Sequence, residues 1–206
     1  MLGPEHDPDA DGVSPAPSGV GPLVTSLAEL PSVRFTGVLL ANELLDNVPF
    51  RLLERTTEGW GEVFVVLERD GTFGEVVVPA GESTGELADR LAPGAVAGAR
   101  IPLQSGAVAW LGRALDVLER GSLLVVDYCS TTPELAGRPH TEWLRTYRAH
   151  ERGASPLTEP GSQDITCEVA VDQLRAAEEP SSDLGQDEWL RAHGIDELVD
   201  EGKQIW

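Results

Sequence analysis

Residues 35–41 read FTGVLLA, a nearly continuous apolar run. Such a run is typical of a strand that is buried on both faces of a parallel sheet. It ends abruptly in polar side chains, because residues 42–49 read NELLDNVP. A second run of the same kind, SLLVV at residues 122–126, is again followed by a charged residue, Asp127. The two runs predict two strands of one parallel sheet.

The segment that precedes the second run has the pattern of an amphipathic helix. Ser105 can cap a helix that runs to Arg120, since residues 108, 111, 115 and 118 are apolar and share one face. Gly121 suits the position that ends such a helix. A strand, a helix and a strand of this character predict a right-handed parallel crossover, and therefore an α/β fold.

An antiparallel unit is predicted between the two strands. Two acid-glycine pairs, at residues 58–59 and 70–71, separate three β-rich runs, and Asp-Gly is a strong hairpin signal. The three runs are residues 51–57, 60–67 and 72–79. We expect them to form a meander inserted into the α/β domain over residues 50–79. Residues 81–99 are predicted to be a loop with one or two helical turns around residues 85–91.

The remaining sequence sets the domain organisation. Residues 1–22 hold five prolines, four glycines and four acids without a basic residue, a composition typical of a disordered tail. We therefore expect one domain over residues 23–206. Within it, residues 130–168 are polar and irregular, and three short helices are predicted at residues 171–179, 186–193 and 195–201.

Composition excludes several classes of protein. The 206 residues carry 35 Asp and Glu against 15 Lys and Arg, a formal charge of −20. This balance argues against a protein that binds nucleic acid or an anionic membrane, because both depend on basic patches. The N-terminal sequence lacks the basic and apolar regions of a secretory signal. With only two cysteines, a disulfide framework is also excluded, and we expect a cytoplasmic protein.

Candidate functional residues follow the two predicted strands. In open parallel sheets, ligands bind beyond the carboxyl ends of the strands. Glu43 and Asp127 lie at these ends, and a carboxylate there can receive a cation or a sugar hydroxyl. The alternative is that Glu43 and Asp46 only cap the helical turn that follows the first strand.

A second group of candidates lies in the segment 143–150, WLRTYRAH. Arg145, Arg148 and His150 can grip a carboxylate, a phosphate or a protein partner, and they can equally form salt bridges with this acidic body. A zinc site is disfavoured, because the cysteines and histidines match no paired ligand spacing.

Several of these motifs together resemble one family. Residues 37–49, GVLLANELLDNVP, are similar to the "ANELLDAxP" signature of the MidA-like class I methyltransferases. That family includes the mitochondrial complex I assembly factor that methylates arginine. Further matches follow in family order at residues 60–63, 109–111, 121–128, 144–150, 160–166 and 187–195.

The resemblance implies a Rossmann-like methyltransferase sheet and methyl transfer from S-adenosyl-L-methionine to a protein side chain, most plausibly an arginine. In such an enzyme Glu43, together with Asp46, would hold the guanidinium as the catalytic pair. Ala41 and Asn42 would border the cofactor. The substrate cleft would include Asp127, Tyr128, Arg145, His150 and Asp164. Alignment of the nucleophile with the methyl group supplies much of the rate in such a displacement.

The sequence also departs from the family pattern. The glycine-rich cofactor loop and the ribose-binding acid of the family lie upstream of the motif at residues 41–43, where this chain has only residues 1–34. We therefore expect an N-terminally incomplete methyltransferase domain whose binding of S-adenosyl-L-methionine is weak or undetectable. The alternative is a non-catalytic interaction or assembly module derived from the methyltransferase fold.

Overall fold

A computed structural model describes residues 27–149 and 151–205, together with two short strands at residues 5–6 and 24–25. The described residues form a mixed α/β arrangement of helices and strands. The strands are β1 (Glu5–His6), β2 (Val24–Thr25), β3 (Phe35–Asn42), β4 (Arg51–Thr56), β5 (Gly59–Leu67), β6 (Phe73–Pro79), β7 (Arg100–Leu103), β8 (Leu118–Val126), β9 (Cys129–Ser130), β10 (Leu144–Arg148), β11 (Glu151–Arg152), β12 (Asp164–Cys167) and β13 (Val169–Ala170). The helices are α1 (Glu82–Leu91), α2 (Ser105–Asp116), α3 (Thr132–Ala136), α4 (His140–Trp143), α5 (Val171–Ala177), α6 (Gln186–Ala192) and α7 (Ile195–Ile205), with a 3-10 turn η1 (Leu45–Asn47).

The two apolar runs form a parallel pair, as predicted. Strand β3 pairs with β8 in a register that places Asn42 beside Val126. Because the strands end side by side, the segments that follow them meet at one edge of the pair. This edge carries the acidic residues that the sequence singles out.

The predicted boundary between helix α2 and strand β8 is wrong. The helix ends at Asp116, and β8 begins at Leu118, so Gly121 lies inside the strand and does not terminate the helix. Gly121 has a φ of +134° and faces Gly37 on β3. A side chain at residue 121 would overlap the carbonyl group of Gly37, so the close approach of the two strands requires glycine here.

The expectation that β3 is buried on both faces is also wrong. Ala41 is 4% exposed, whereas Val38 and Leu40 on the opposite face of the strand are 68% and 64% exposed. Along β3, half-buried or buried residues therefore alternate with exposed ones, so one face of this strand is open to solvent. The run of apolar residues therefore predicts the strand correctly but not its burial.

The predicted meander is present and is larger than expected. Strands β4, β5 and β6 are antiparallel neighbours, and β7 adds a fourth strand beside β4. The predicted loop at residues 81–99 contains the ten-residue helix α1, which buries Ala88 against this sheet. The core between them includes Leu53, Trp60 and Ile101, and the indole N–H of Trp60 donates to Asp89 at 3.0 Å.

The region predicted to be irregular, residues 130–168, contains two short helices and a three-stranded antiparallel sheet in the order β11-β10-β12. Trp143 at the end of α4 is fully buried and anchors this region, donating its indole N–H to the carbonyl of Leu135 at 3.0 Å. The three C-terminal helices are present, and α7 extends to Ile205. The predicted disordered tail lies outside the described residues apart from 5–6. In the described part of the chain, the helices are too short or too polar to cross a bilayer.

Candidate active site

A cleft of about 440 Å³ opens where the turn after β3 faces the sheet that contains β10 and β12. Its walls come from four segments that are separate in sequence. The lining residues are Glu43, Asp46, Asn47, Tyr128, Arg145, Tyr147, Asp164, Thr166, Cys167 and Glu168. This volume is within the range of small-ligand sites in proteins.

The first wall is the acidic turn, residues 43–47. Glu43 has a φ of +47°, a left-handed conformation that is rare for a residue with a side chain, and its backbone N–H donates to the carbonyl of Val126 at 2.8 Å. Glu43 is exposed to solvent and lines the cleft at the end of the β3–β8 pair.

Asp46, one turn later, is only 7% exposed, and its Oδ1 accepts a hydrogen bond from the side-chain amide of Asn47 at 2.6 Å. Burial raises the pKa of Asp46, and the nearby charges of Asp127 and Glu43 raise it further. A cation placed in the cleft would offset this repulsion among carboxylates.

Asp127 lies beneath this turn and does not line the cleft. Its Oδ2 accepts the backbone N–H groups of Leu45 at 2.9 Å and Asp46 at 3.3 Å. Its Oδ1 accepts the N–H of Tyr128 at 2.9 Å. The cap on the turn therefore comes from the end of β8, a contact between residues 82 positions apart in sequence.

The opposite wall is built around Glu168. Its Oε2 accepts hydrogen bonds from Arg138 at 2.7 Å and from Ser130 at 2.8 Å, and its Oε1 accepts one from Arg145. Burial alone would raise the pKa of Glu168, but the hydrogen bonds from Arg138 and Ser130 and the charge of Arg138 outweigh it and lower the pKa. Arg145 also donates from Nε to the carbonyl of Glu142 at 2.7 Å. The guanidinium of Arg145 is thus held against the wall.

The structure brings five of the predicted site residues to the cleft: Glu43, Asp46, Tyr128, Arg145 and Asp164. Asn42 is exposed at the end of β3, and Ala41 is buried behind it. His150 lies outside the described residues. The sequence analysis missed Glu168, although Asp164, Thr166 and Glu168 alternate with a period of two, a spacing that places side chains on one face of a strand.

Negative charge dominates the cleft. Four carboxylates line it, those of Glu43, Asp46, Asp164 and Glu168, against the single guanidinium of Arg145, which is already paired with Glu168. Such a balance favours a cationic ligand. The fold and the cleft together define an α/β protein with an acidic ligand site at the ends of two parallel strands.

Comparison with known proteins identifies the family. Residues 20–185 match the family described as "Putative S-adenosyl-L-methionine-dependent methyltransferase", and the chain belongs to this family. The MidA-like resemblance is thereby confirmed, and the cofactor of the family is S-adenosyl-L-methionine. A comparison with curated proteins returns no match.

Two solved structures from Burkholderia thailandensis, members of one superfamily, are similar to this chain. One, described as a "likely methyl transferase" bound to S-adenosyl-homocysteine, is 28% identical with a TM-score of 0.67. The other, an uncharacterized protein, is 31% identical with a TM-score of 0.66. Each match covers 75% of this chain but only 40% or 41% of the solved one, so the chain spans about 40% of their length.

The donor set of the cleft fits one side of S-adenosyl-L-methionine. The sulfonium of this cofactor is a cation, and the excess of carboxylates along the cleft favours a cationic group at its edge. Asn42, exposed at the end of β3 directly before Glu43, offers an amide at the same edge. The described residues therefore supply groups suited to the reacting end of the cofactor.

Proposed function

We propose that this chain carries the methyl-acceptor site of an S-adenosyl-L-methionine-dependent methyltransferase, and that the acceptor is an arginine side chain of a protein. The observation that carries the proposal is the acidic cleft at the ends of β3 and β8, in a chain of a methyltransferase family. The parallel β3–β8 pair is the part of a Rossmann-like sheet that this proposal requires.

A guanidinium suits this cleft for two reasons. Glu43 and Asp46 present carboxylates from one turn, and charge-assisted hydrogen bonds to a planar guanidinium are among the strongest in proteins. Asp46 is buried beside two other acids, so a bound cation gains more there than at an exposed carboxylate. The bound cofactor would supply an electrophilic methyl group. Glu43 and Asp46 would bind the guanidinium and orient one nitrogen toward that group.

The far wall limits what else can bind. The positive charge of Arg145 is balanced by its salt bridge with Glu168, so Arg145 does not repel a cationic ligand as an unpaired arginine would. Tyr128 and Tyr147 add aromatic surface beside it, suited to the apolar stem of an arginine side chain. We infer a protein substrate because an arginine in an extended segment reaches such an open cleft. We also propose a cytoplasmic location, supported by the free thiols of Cys129 and Cys167.

Binding of a blocked arginine, N-acetyl-arginine methylamide, to the 206-residue chain tests the proposal. We expect the chain to bind it more tightly than the blocked citrulline analogue, which has the same shape without the charge. Glu43→Gln should weaken binding roughly tenfold with little change in melting temperature, because the side chain is exposed. Glu58→Gln, an exposed acid in the turn between β4 and β5, is the matched control and should leave affinity unchanged.

Equal affinity for arginine and citrulline, or an unchanged affinity in Glu43→Gln, would contradict the proposed site. Mass spectrometry of an arginine-containing peptide incubated with the chain and S-adenosyl-L-methionine separates two roles. Methylation that falls about 100-fold in Glu43→Gln supports the enzyme. Binding of both arginine and S-adenosyl-L-methionine without any methyl transfer favours a non-catalytic interaction module.

A further inference from the structure

We propose that Asp127 is a positioning residue that holds the acidic turn so that Glu43 and Asp46 face the cleft, and that it does not contact the substrate. That the acidic turn binds a substrate rests on the proposed function. That Asp127 holds the turn rests on the hydrogen bonds of its carboxylate.

All three hydrogen bonds of the Asp127 carboxylate go to the backbone. Oδ2 accepts from Leu45 at 2.9 Å and from Asp46 at 3.3 Å, and Oδ1 accepts from Tyr128 at 2.9 Å. The first N–H groups of a helical turn have no partner within the turn and need an acceptor from elsewhere. A carboxylate that caps such groups is normally the residue just before the turn. Here it comes from the end of the neighbouring strand.

The packing around the turn explains why the cap must be rigid. Leu45 lies between the two acids and is fully buried in the core that α2 lines. Of the two backbone N–H groups that donate to Oδ2 of Asp127, that of Leu45 makes the shorter hydrogen bond. Without this bond, the N–H of Leu45 would lack an acceptor in a buried place, and the turn that carries Asp46 would have to shift to satisfy it. The register of β3 with β8, which pairs Asn42 with Val126, brings the Asp127 carboxylate to this place.

The arrangement also carries an electrostatic cost. Asp127 places a third negative charge near Asp46 and Glu43, on the same edge as the proposed cation site. A residue used only to attract a cation would face the cleft, whereas Asp127 is absent from the residues that line it. Its carboxylate oxygens instead accept hydrogen bonds from backbone N–H groups.

Asparagine and alanine at residue 127 separate the two roles. Asparagine keeps an uncharged oxygen that can accept from Leu45 and Asp46, whereas alanine removes every acceptor. If Asp127 positions the turn, Asp127→Asn retains most of the function and Asp127→Ala does not. If Asp127 contacts a bound cation, both variants lose the charge and weaken binding alike. Asp116→Asn and Asp116→Ala, at an exposed aspartate at the end of α2, are matched controls.

Two readouts on the 206-residue chain decide between these roles: amide hydrogen exchange at Leu45 and Asp46 by NMR, and affinity for blocked arginine. We expect Asp127→Ala to speed exchange at both amides by roughly tenfold or more, while amides of β4 and β5 keep their rates. The same variant should weaken binding of blocked arginine roughly tenfold, and Asp127→Asn should stay within about threefold of wild type in both readouts.

Two results would overturn the inference. One is unchanged exchange at Leu45 and Asp46 in Asp127→Ala. The other is an Asp127→Asn variant that keeps its amides protected yet binds blocked arginine as poorly as Asp127→Ala. If wild type itself does not bind blocked arginine, the proposed function fails, and the exchange rates alone then decide the role of Asp127. If Asp127→Ala does not fold, protection at Leu45 and Asp46 in Asp127→Asn decides it.

Discussion

Replacing Gln104 with alanine is expected to remove a large part of the stability of this protein. Gln104 lies between β7 and α2 and is 1% exposed. Its Nε2 donates to the carbonyl of Glu168 at 3.1 Å, and its Oε1 accepts the N–H of Ala170 at 2.6 Å. The side chain therefore joins the start of α2 to the segment that carries one wall of the cleft.

The magnitude follows from the groups left behind. Alanine leaves the N–H of Ala170 and the carbonyl of Glu168 without the amide, and each unpaired buried group costs about 1–3 kcal/mol. The lost side-chain atoms also leave a cavity. We expect a total loss of about 3–5 kcal/mol, compared with about 5–15 kcal/mol for the stability of a whole domain.

Urea unfolding followed by tryptophan fluorescence measures this loss, since Trp143 is fully buried and reports on the same region. Gln186→Ala, at the exposed first residue of α6, is the control and should change the free energy of unfolding by less than about 0.5 kcal/mol. A loss below about 1 kcal/mol in Gln104→Ala would show that neighbouring groups or water replace the amide, and would refute the reasoning.

Two further predictions concern the backbone and the acidic turn. Gly121→Ala should lower the free energy of unfolding by about 3 kcal/mol or more, because its side chain would overlap β3, whereas Gly112→Ala in the open middle of α2 should raise it by about 0.5–1 kcal/mol. Urea titration checks both, and equal effects would contradict the close strand contact. The raised pKa of Asp46 means that the folded state binds its proton more tightly than the unfolded chain, so stability falls as pH rises from about 3.8 through the folded pKa. Asp46→Asn should therefore stabilise the protein at pH 7 and do so less at pH 3.5; unfolding measurements that find the same difference at both pH values would contradict the raised pKa.

Local patterns predicted the elements whose signals are local. The strands β3 and β8 follow from continuous apolar runs, and the hairpin between β5 and β6 follows from the Asp-Gly pair at residues 70–71. Strand β7, which was missed, and helix α1, which was predicted only as one or two turns around residues 85–91, depend on their surroundings. Strand β7 is four residues long, contains Pro102 and is defined by its pairing with β4. Helix α1 carries a mostly polar sequence and is stabilised by burying Ala88 against the meander.

The candidate site shows the same division. Position at a strand end was enough to select Glu43 and Asp127 from the sequence, whereas Asp46 was selected as a catalytic residue through the family resemblance. Which of them faces the cleft depends on the register of β3 with β8, which no local pattern specifies. Glu168 was missed because its position depends on two arginines, Arg138 and Arg145, that lie 30 and 23 residues away.

The left-handed backbone at Glu43 bears on which amino acids are favoured at this position. A residue with a side chain pays an energetic penalty of about 1–3 kcal/mol to adopt such a conformation, and glycine adopts it freely. Selection for stability alone would favour glycine here. If Glu43 binds the methyl acceptor as proposed, the carboxylate accounts for a glutamate at a position where glycine would be more stable. Among variants of this protein, glycine at residue 43 would mark forms that have gained stability and given up the site.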